Sequence, residues 1–365
     1  MEKVAIILIN YKDYAKKYLK DCAASLININ YPHDAVKVFV VDNQSSPESR
    51  RDILELMRQF DFDGGSGRIK AELIANEENV GYGQGNNSGI MAARKQGFEF
   101  FFLLNMDTEV DPFFLSKAMA VYHQAPNAGL IQSRLMLHDH PEQINSLGNL
   151  IHFLGFGFSE GYKKKWQEFS VNSRFDEIIY PSGAALLIFE KVLDDIGYFT
   201  PEYFMYHDDL EWGWKSRLRG YKNFIAYDSV VYHKFQFIKS VKQFYWMERN
   251  RLITTLVAYH WATLLILFPA FVSYECGLAF FSLFNGWFTE RVKVYRWFFS
   301  WRNIKKIYHW RRHVQSRRQT PERRVVSDFA GKILYQEDFD NPILKYVANP
   351  IFNLYWQIAK RIIFW

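Results

Sequence analysis

Two short acidic stretches carry the clearest chemistry in this chain: Asn105-Met106-Asp107, directly after an apolar run, and His207-Asp208-Asp209-Leu210-Glu211-Trp212 in an aromatic setting. A carboxylate at the end of a buried strand can hold a divalent cation against a nucleotide diphosphate, because hard oxygens suit Mg²⁺ or Mn²⁺ and substrate phosphates complete the shell. Asp107 is therefore a candidate metal ligand, with Asn105 available to ribose or phosphate, although Asn-x-Asp also occurs in ordinary turns. A second carboxylate cluster can take the proton from an attacking hydroxyl. Asp208, Asp209 and Glu211 open a helical segment that ends near Gly220, where they can equally complement a helix dipole. The large apolar neighbours Tyr203 to Tyr206 argue for more than a surface cap, since an aromatic pocket raises a carboxyl pKa toward a range useful for proton transfer.

Two further stretches suit a nucleotide. Asp42, in Val41-Asp42-Asn43-Gln44-Ser45-Ser46, can accept hydrogen bonds from a nucleobase or ribose, or can cap a helix or form a turn. Residues 79–89, Asn79-Val80-Gly81-Tyr82-Gly83-Gln84-Gly85-Asn86-Asn87-Ser88-Gly89, are rich in glycine. Glycines let a backbone approach a ligand closely, and a helix starting there directs N–H groups at phosphate. The alternative is a plain turn. The spacing is not that of a dinucleotide fingerprint.

The elements that must position these residues alternate. Apolar runs predict strands at 4–11, 36–43, 71–76, 98–105, 184–189 and 224–227, and helical periods fall at 14–27, 47–60, 84–96 and 112–123. This is the pattern of an α/β fold with a mostly parallel central sheet flanked by helices. Ligands gather at the carboxyl ends of such strands, where Asn10, Asp42 and Asp107 fall. The polar stretch 61–67 reads as a surface connection, and residues 152–176 read as a mobile loop. No internal repeat is present.

Beyond Arg251 the character changes. Residues 252–274 carry no charge, a second uncharged run spans 276–289, and 291–324 mix aromatic with basic residues. From Lys239 to Arg324 there are 16 Lys/Arg against four acids, so the overall charge of +6 hides a local +12 and about −6 elsewhere. Pro269, Glu275 and basic charge on both flanks favour interfacial or re-entrant attachment over a simple crossing, with both ends cytoplasmic. The anionic partner is then a membrane surface and not nucleic acid, for which no recognition motif is present. The division predicted is a catalytic domain at 1–240 and a helical, membrane-associating region at 241–365. Cys22 and Cys276 match no metal or redox spacing and fit a reducing cytosol. The start Met1-Glu2-Lys3 leads straight into a strand with no signal-peptide cleavage site.

Asp42, residues 79–89, Asn105-Met106-Asp107, Ser182-Gly183-Ala184-Ala185 and Phe204-Met205-Tyr206-His207-Asp208-Asp209 occur in the order seen in family 2 glycosyltransferases. Over about residues 3–240 the chain resembles most their rhamnosyltransferase-like branch. The resemblance implies a nucleotide-diphospho-sugar fold of the GT-A type, a divalent metal (Mg²⁺ or Mn²⁺) and inverting single displacement. By position it implies Asp209 as catalytic base with Asp208 beside it, Asp107 and His233 at the metal, and Asp42 at the nucleobase. Asn10, Asn79, Gly81, Gly85, Asn86, Asn87, Asn105 and Gly183 then complete the donor site. Alone, His233 would read as structural. Asn105 departs from the usual first aspartate of the metal motif, and Asp208 from a common glutamate. The function expected is transfer from dTDP-rhamnose or a UDP-sugar to a saccharide on a polyprenyl diphosphate, in cell-surface polysaccharide or glycolipid assembly at the cytoplasmic face of the cell membrane. Transfer to a polyprenyl phosphate, or non-catalytic nucleotide-sugar binding, are the alternatives.

Overall fold

Val4, Ala5, Ile6, Ile7 and Leu8 are wholly buried, as expected of a strand covered on both faces by helices. In the computed structural model they lie in the interior of a ten-stranded sheet. The structure describes residues 2–61, 67–169, 171, 173–235, 241–333, 342 and 344–365. These fall into two units: Met1–Asn149 with Ser159–Ser216 and Tyr221–Gln236, and Leu150–Phe158 with Arg217–Gly220 and Phe237–Trp365.

The first part of the chain runs β1 (Val4–Asn10), α1 (Tyr14–Leu26), β2 (Val36–Asn43), α2 (Pro47–Met57), β3 (Lys70–Asn76), α3 (Gly81–Arg94), β4 (Phe100–Leu104), β5 (Thr108–Val110), α4 (Phe114–Gln124) and β6 (Ala128–Leu137). It continues through β7 (Ile144–Ser146), β8 (Asn149–Ile151), β9 (Gly157–Ser159), β10 (Phe175–Ile178), β11 (Ala185–Phe189), α5 (Glu190–Ile196), α6 (Asp208–Leu218) and β12 (Lys222–His233). The sheet order is β10-β12-β6-β11-β4-β1-β2-β3, with β5 on β12 and β7 on β6. It is mixed and not mostly parallel. β4-β1-β2-β3 are parallel, but β11 is antiparallel to both β4 and β6.

Most expected elements form close to their predicted bounds. α3 begins at Gly81, three residues before the helical period at 84. β6 was absent from the strand pattern because Gln132, Ser133 and Arg134 interrupt its apolar run; Gln132 and Ser133 are buried and hydrogen-bonded to Ser146 and Ser229. β12 extends well past 227, through a bulge between Ala226 and Val230, and ends on His233. Within 152–176 the chain forms β9, a helical turn at Trp166–Glu168 and the start of β10. The polar connection 61–67 lies largely outside the described residues.

The later helices are α7 (Val241–Ala258), α8 (Trp261–Phe284), α9 (Phe288–Phe298), α10 (Trp301–Ser316), α11 (Glu322–Val326) and α12 (Asn349–Ile362). The uncharged stretch divides at His260, whose side chain accepts from Ala262 N and caps α8. Pro269 and Glu275 both lie inside α8, which is long and apolar enough to cross a membrane by length and composition. Glu275 pairs with Arg251 and Arg291, two fully buried guanidiniums that Glu248 also meets at 2.9 and 2.6 Å. Two arginines against two glutamates leave no net buried charge, the condition for keeping such a cluster away from water.

His152 is wholly buried among Phe153, Phe156, Phe158 and Phe352, and its Nδ1 accepts from Leu154 N at 3.1 Å. Burial pushes its pKa down to about 3. Below its ordinary pKa the unfolded chain binds a proton that the folded chain refuses, so stability is complete above about 6.5 and declines as pH falls toward 3. Between pH 7 and 5 this one group should remove about 2 kcal/mol. Urea denaturation should show His152→Leu losing less stability over that interval than the wild type; equal losses would mean that His152 does not stay neutral.

Candidate active site

Three neighbouring strands end in polar residues in register, with Asn10 opposite Asp42 and Asn43 opposite Asn76. Asn10 Nδ2 donates to Ser45 Oγ (2.7 Å) and Asp42 Oδ1 (3.2 Å), and its Oδ1 accepts from Ala15 N, tying β1 to α1. Asp42 is fully buried, and its oxygens also accept from Ser45 N (3.1 Å) and Arg50 Nε (3.0 Å). Asn43 donates to Gly81 O and accepts from Asn76. These side chains brace the strand ends, and Asp42 presents a carboxylate already partnered within the protein.

Asp107 and His233 come together. The first follows β4, the second ends β12, and Lys234 N donates to Asp107 O. His233 Nε2 lies 3.2 Å from Asp107 Oδ1, and both residues are buried. Asn145 Oδ1 faces His233 Nδ1 at 2.9 Å. A proton on Nδ1 satisfies that contact and turns the Nε2 lone pair toward Asp107 Oδ1, a buried atom without a hydrogen-bond partner. Two lone pairs facing one another call for a proton or a cation between them. Ligands at right angles on a Mg²⁺ ion, each at about 2.1 Å, stand about 3 Å apart, so the pair fits two adjacent positions of such a shell. Among the described residues no cluster of three His, Cys, Asp or Glu surrounds this point. Burial raises the Asp107 carboxyl; with no cation in place, a proton on His233 Nε2 supplies a hydrogen bond and a charge that, together with the Tyr14 hydroxyl, reverse this and hold it below the ordinary carboxylate range.

The acidic helix start is built by α3. Phe204, Tyr206 and His207 have φ of 62°, 66° and 67°, a left-handed run rare for bulky residues and costly enough to need outside support. Tyr82 N supplies it by donating to Phe204 O at 2.7 Å. Gly81, at φ +83°, passes so close that a Cβ there would stand 2.0 Å from the same oxygen, and a Cβ at Gly83 would meet Asp208 Oδ1. Asn87 brackets the Phe199 backbone, donating to O and accepting from N, while Asn86 bonds Tyr82 O and Asn79 bonds Gly81 N. Gly85 packs against Asn43. The glycine-asparagine segment is thus the seat of the acidic turn, with its close approaches made to protein.

Asp208 is buried and Asp209 partly so. Asp209 Oδ2 accepts from Gly183 N (3.1 Å) and Oδ1 from Leu210 N (2.8 Å). Burial raises its pKa, and the two backbone donors only partly oppose this. Glu211 is held by Thr200 (2.6 Å) and Lys215 (2.7 Å), which fits it for structure and not for proton transfer. The next residue along from Gly183 reaches the metal pair's turn: Ala184 O accepts from Asn105 N at 2.9 Å. Two consecutive residues therefore bind Asp209 on one side and Asn105-Met106-Asp107 on the other. Tyr82, Tyr14 and Asn145 were not singled out from sequence, since their roles depend on partners distant in the chain.

Tyr82 OH donates to Gly183 O at 2.7 Å, and a Cβ on Gly183 would stand 2.6 Å from that hydroxyl oxygen. Gly183→Ala should destabilise the protein, and Tyr82→Phe alone should cost about 1 kcal/mol. Made together they should cost less than their sum by about 1 kcal/mol or more, because the clashing atom is gone. Thermal or urea denaturation of the four proteins measures this coupling; strict additivity would mean that the contact does not exist.

The description "glycosyl transferase family 2" matches residues 5–197. The low-salt glycan biosynthesis hexosyltransferase Agl10 of Haloferax volcanii is 23% identical over 224 residues, which cover 60% of this chain and 62% of the relative's length. GalNAc-T7, solved with UDP, GalNAc and Mn²⁺, superposes with a TM-score of 0.56 at 13% identity, over 70% of this chain and 48% of that one. The mannosyltransferase PcManGT of Pyrobaculum calidifontis, in complex with GDP-Man and Mn²⁺, gives a TM-score of 0.47 at 14% identity over 80% of this chain and 84% of that one. The GalNAc-T7 likeness is one of fold, a GT-A-like α/β architecture with a mixed central sheet. With more than half its residues matched, the chain belongs to glycosyl transferase family 2.

Proposed function

We propose that the protein is an inverting, metal-dependent transferase that moves a sugar from a nucleotide-diphospho-sugar to a lipid-linked saccharide at the cytoplasmic face of the cell membrane. The observation that carries this reading is the Gly183-Ala184 pair, which bonds the candidate base through one residue and the candidate metal turn through the next. An acceptor hydroxyl attacks the anomeric carbon, its proton passes to Asp209, and the bond to the nucleoside diphosphate breaks as the new bond forms on the opposite face. Asp107 and His233 would hold the cation, with Asn145 keeping His233 Nε2 turned toward Asp107. Mg²⁺ or Mn²⁺, when bound, neutralises charge on the departing diphosphate. Asp42, fixed by Arg50, lies on the strand end that would receive the nucleobase.

The Haloferax volcanii relative is a hexosyltransferase of glycan biosynthesis, which supports glycan assembly, and GalNAc-T7 was solved with UDP, GalNAc and Mn²⁺, which supports a nucleotide-sugar donor. dTDP-rhamnose, in keeping with a rhamnosyltransferase-like enzyme, and UDP-sugars are the donors to try. The apolar α8 and the basic segment after it support a membrane-side acceptor, with residues 1–240 catalytic and 241–365 attaching.

Asp209→Asn should lower transfer by about 10² to 10⁴ with donor binding retained. A base must be ionised, and burial raises this carboxyl. The wild-type rate should therefore fall on acidification through a pH above the usual aspartate range. Wild-type turnover by the Asn variant would remove Asp209 from this role. Asp107→Ala should weaken donor binding measured by calorimetry with Mn²⁺, and chelator should do the same to the wild type. Donor affinity indifferent to both would exclude the metal pair.

A further inference from the structure

Within the helical unit, apolar side chains are exposed in ordered stripes. On the first half of α8, Trp261, Leu265, Phe268 and Val272 are exposed at helical spacing, Leu265 at 76%, while Thr263, Leu267 and Ala270 are buried; past Glu275, Phe280, Phe281, Leu283 and Phe284 are all exposed. α12 repeats the division: Ile351, Leu354, Ile358 and Ile362 are exposed, Leu354 at 65%, whereas Phe352, Trp356 and Ala359 are buried. Trp356 stacks on Phe153 and donates to Phe329 O, and Tyr355 OH donates to Ile266 O of α8, so α12 is docked by one face beside α8. α10 carries no acidic residue. Trp301, Ile304 and Tyr308 form an exposed apolar row, and Arg302, Lys305, His309 and Arg312 an exposed basic row beside it.

Not every arginine of α10 belongs to that row. Arg311 is buried, donates to Tyr259 O at 2.7 Å and to Leu256 O, and lies 3.8 Å from the Trp261 ring. With Gln315 and Arg318 it satisfies the last carbonyls of α7, a C-terminal cap made by a neighbouring helix. The basic residues left on the surface are those that headgroups could reach.

We infer that this unit lies in the plane of an anionic lipid bilayer, with the α8 and α12 stripes inserted at the acyl boundary and the basic row of α10 against phosphate headgroups. The inference rests on the membrane-side location proposed above and names its surface and its lipid chemistry. An in-plane orientation follows from the split faces of α12 and of the first half of α8, where Thr263, Leu267 and Ala270 are packed opposite the exposed stripe, and from Glu275, which enters the buried arginine cluster where a crossing helix would carry it into the bilayer. Charge chooses the occupant. An exposed basic row without acids bordering an aromatic row suits anionic lipid, and would repel a second copy of itself.

The test floats the full chain with phosphatidylcholine vesicles, or with vesicles of phosphatidylcholine and phosphatidylglycerol in equal parts. The wild type should bind the anionic vesicles at least tenfold more tightly, and R302E/K305E/R312E should bind both kinds alike. L354Q/I358Q should weaken binding to both, while Arg311→Glu should lower thermal stability. Soluble-donor hydrolysis by the first two variants should stay at the wild-type level. Equal wild-type affinity for both vesicles, indifferent to charge reversal, would overturn the inference. So would retention of the bound protein after alkaline carbonate extraction, which means a crossing, or self-association lost in L354Q/I358Q without vesicle binding, which means a second copy covers the face. Lipid binding as expected without any donor hydrolysis would sink the transferase reading and leave this surface standing.

Discussion

The pair Gly183-Ala184 is the constraint on which the site depends. It precedes β11, the strand that turns a parallel sheet into a mixed one, and its two residues bond different partners: Gly183 N reaches Asp209 and Ala184 O reaches Asn105 N. An antiparallel strand beside β4 is what lets residues so distant in the chain share one short segment. Gln132 holds the approach to it, accepting from Ser182 N at 2.6 Å, and this is why a buried glutamine interrupts β6. A polar side chain inside a sheet is tolerated when every hydrogen bond is made, and here those bonds set the position of the pair.

The strained turn before α6 depends on a second constraint. Three bulky residues stand at positive φ where α3 arrives with glycine at 81 and an amide at Tyr82, both against Phe204 O. The result aims Asp208 and Asp209 while leaving Asp209 with two backbone donors and a raised pKa. At the other end of the site the opposite holds. Asp107 is kept charged by His233 and Tyr14, as a group that binds a cation must be. Two carboxylates with environments that push them apart is the condition for giving them different work.

Much of this was legible where local chemistry decides. β2 spans its predicted residues because Val36 and Val38 to Val41 are apolar and Asp42-Asn43-Gln44-Ser45-Ser46 end the run, with Ser46 Oγ accepting from Ser49 N to cap α2. It was illegible where distant contacts overrule propensity. A helix beginning on Gly81 and Gly83 contradicts glycine's poor helix propensity, and only the packing against Phe204 and Asp208 explains it. Nothing in Phe204, Tyr206 or His207 announces positive φ, and nothing near Asn145 announces His233. In the helical unit the charge count favours attachment, but which arginines cap α7 and which face outward depends on helix packing that the sequence does not show.

The central claim is that Asp209 draws a proton from an acceptor whose oxygen enters opposite the departing diphosphate. The stereochemistry of the product reports on this most directly. Proton NMR of the first-formed glycoside, made from a donor of known anomeric configuration, should show the opposite configuration at the transferred sugar. Retention of the donor's configuration would contradict single displacement and with it the role given to Asp209.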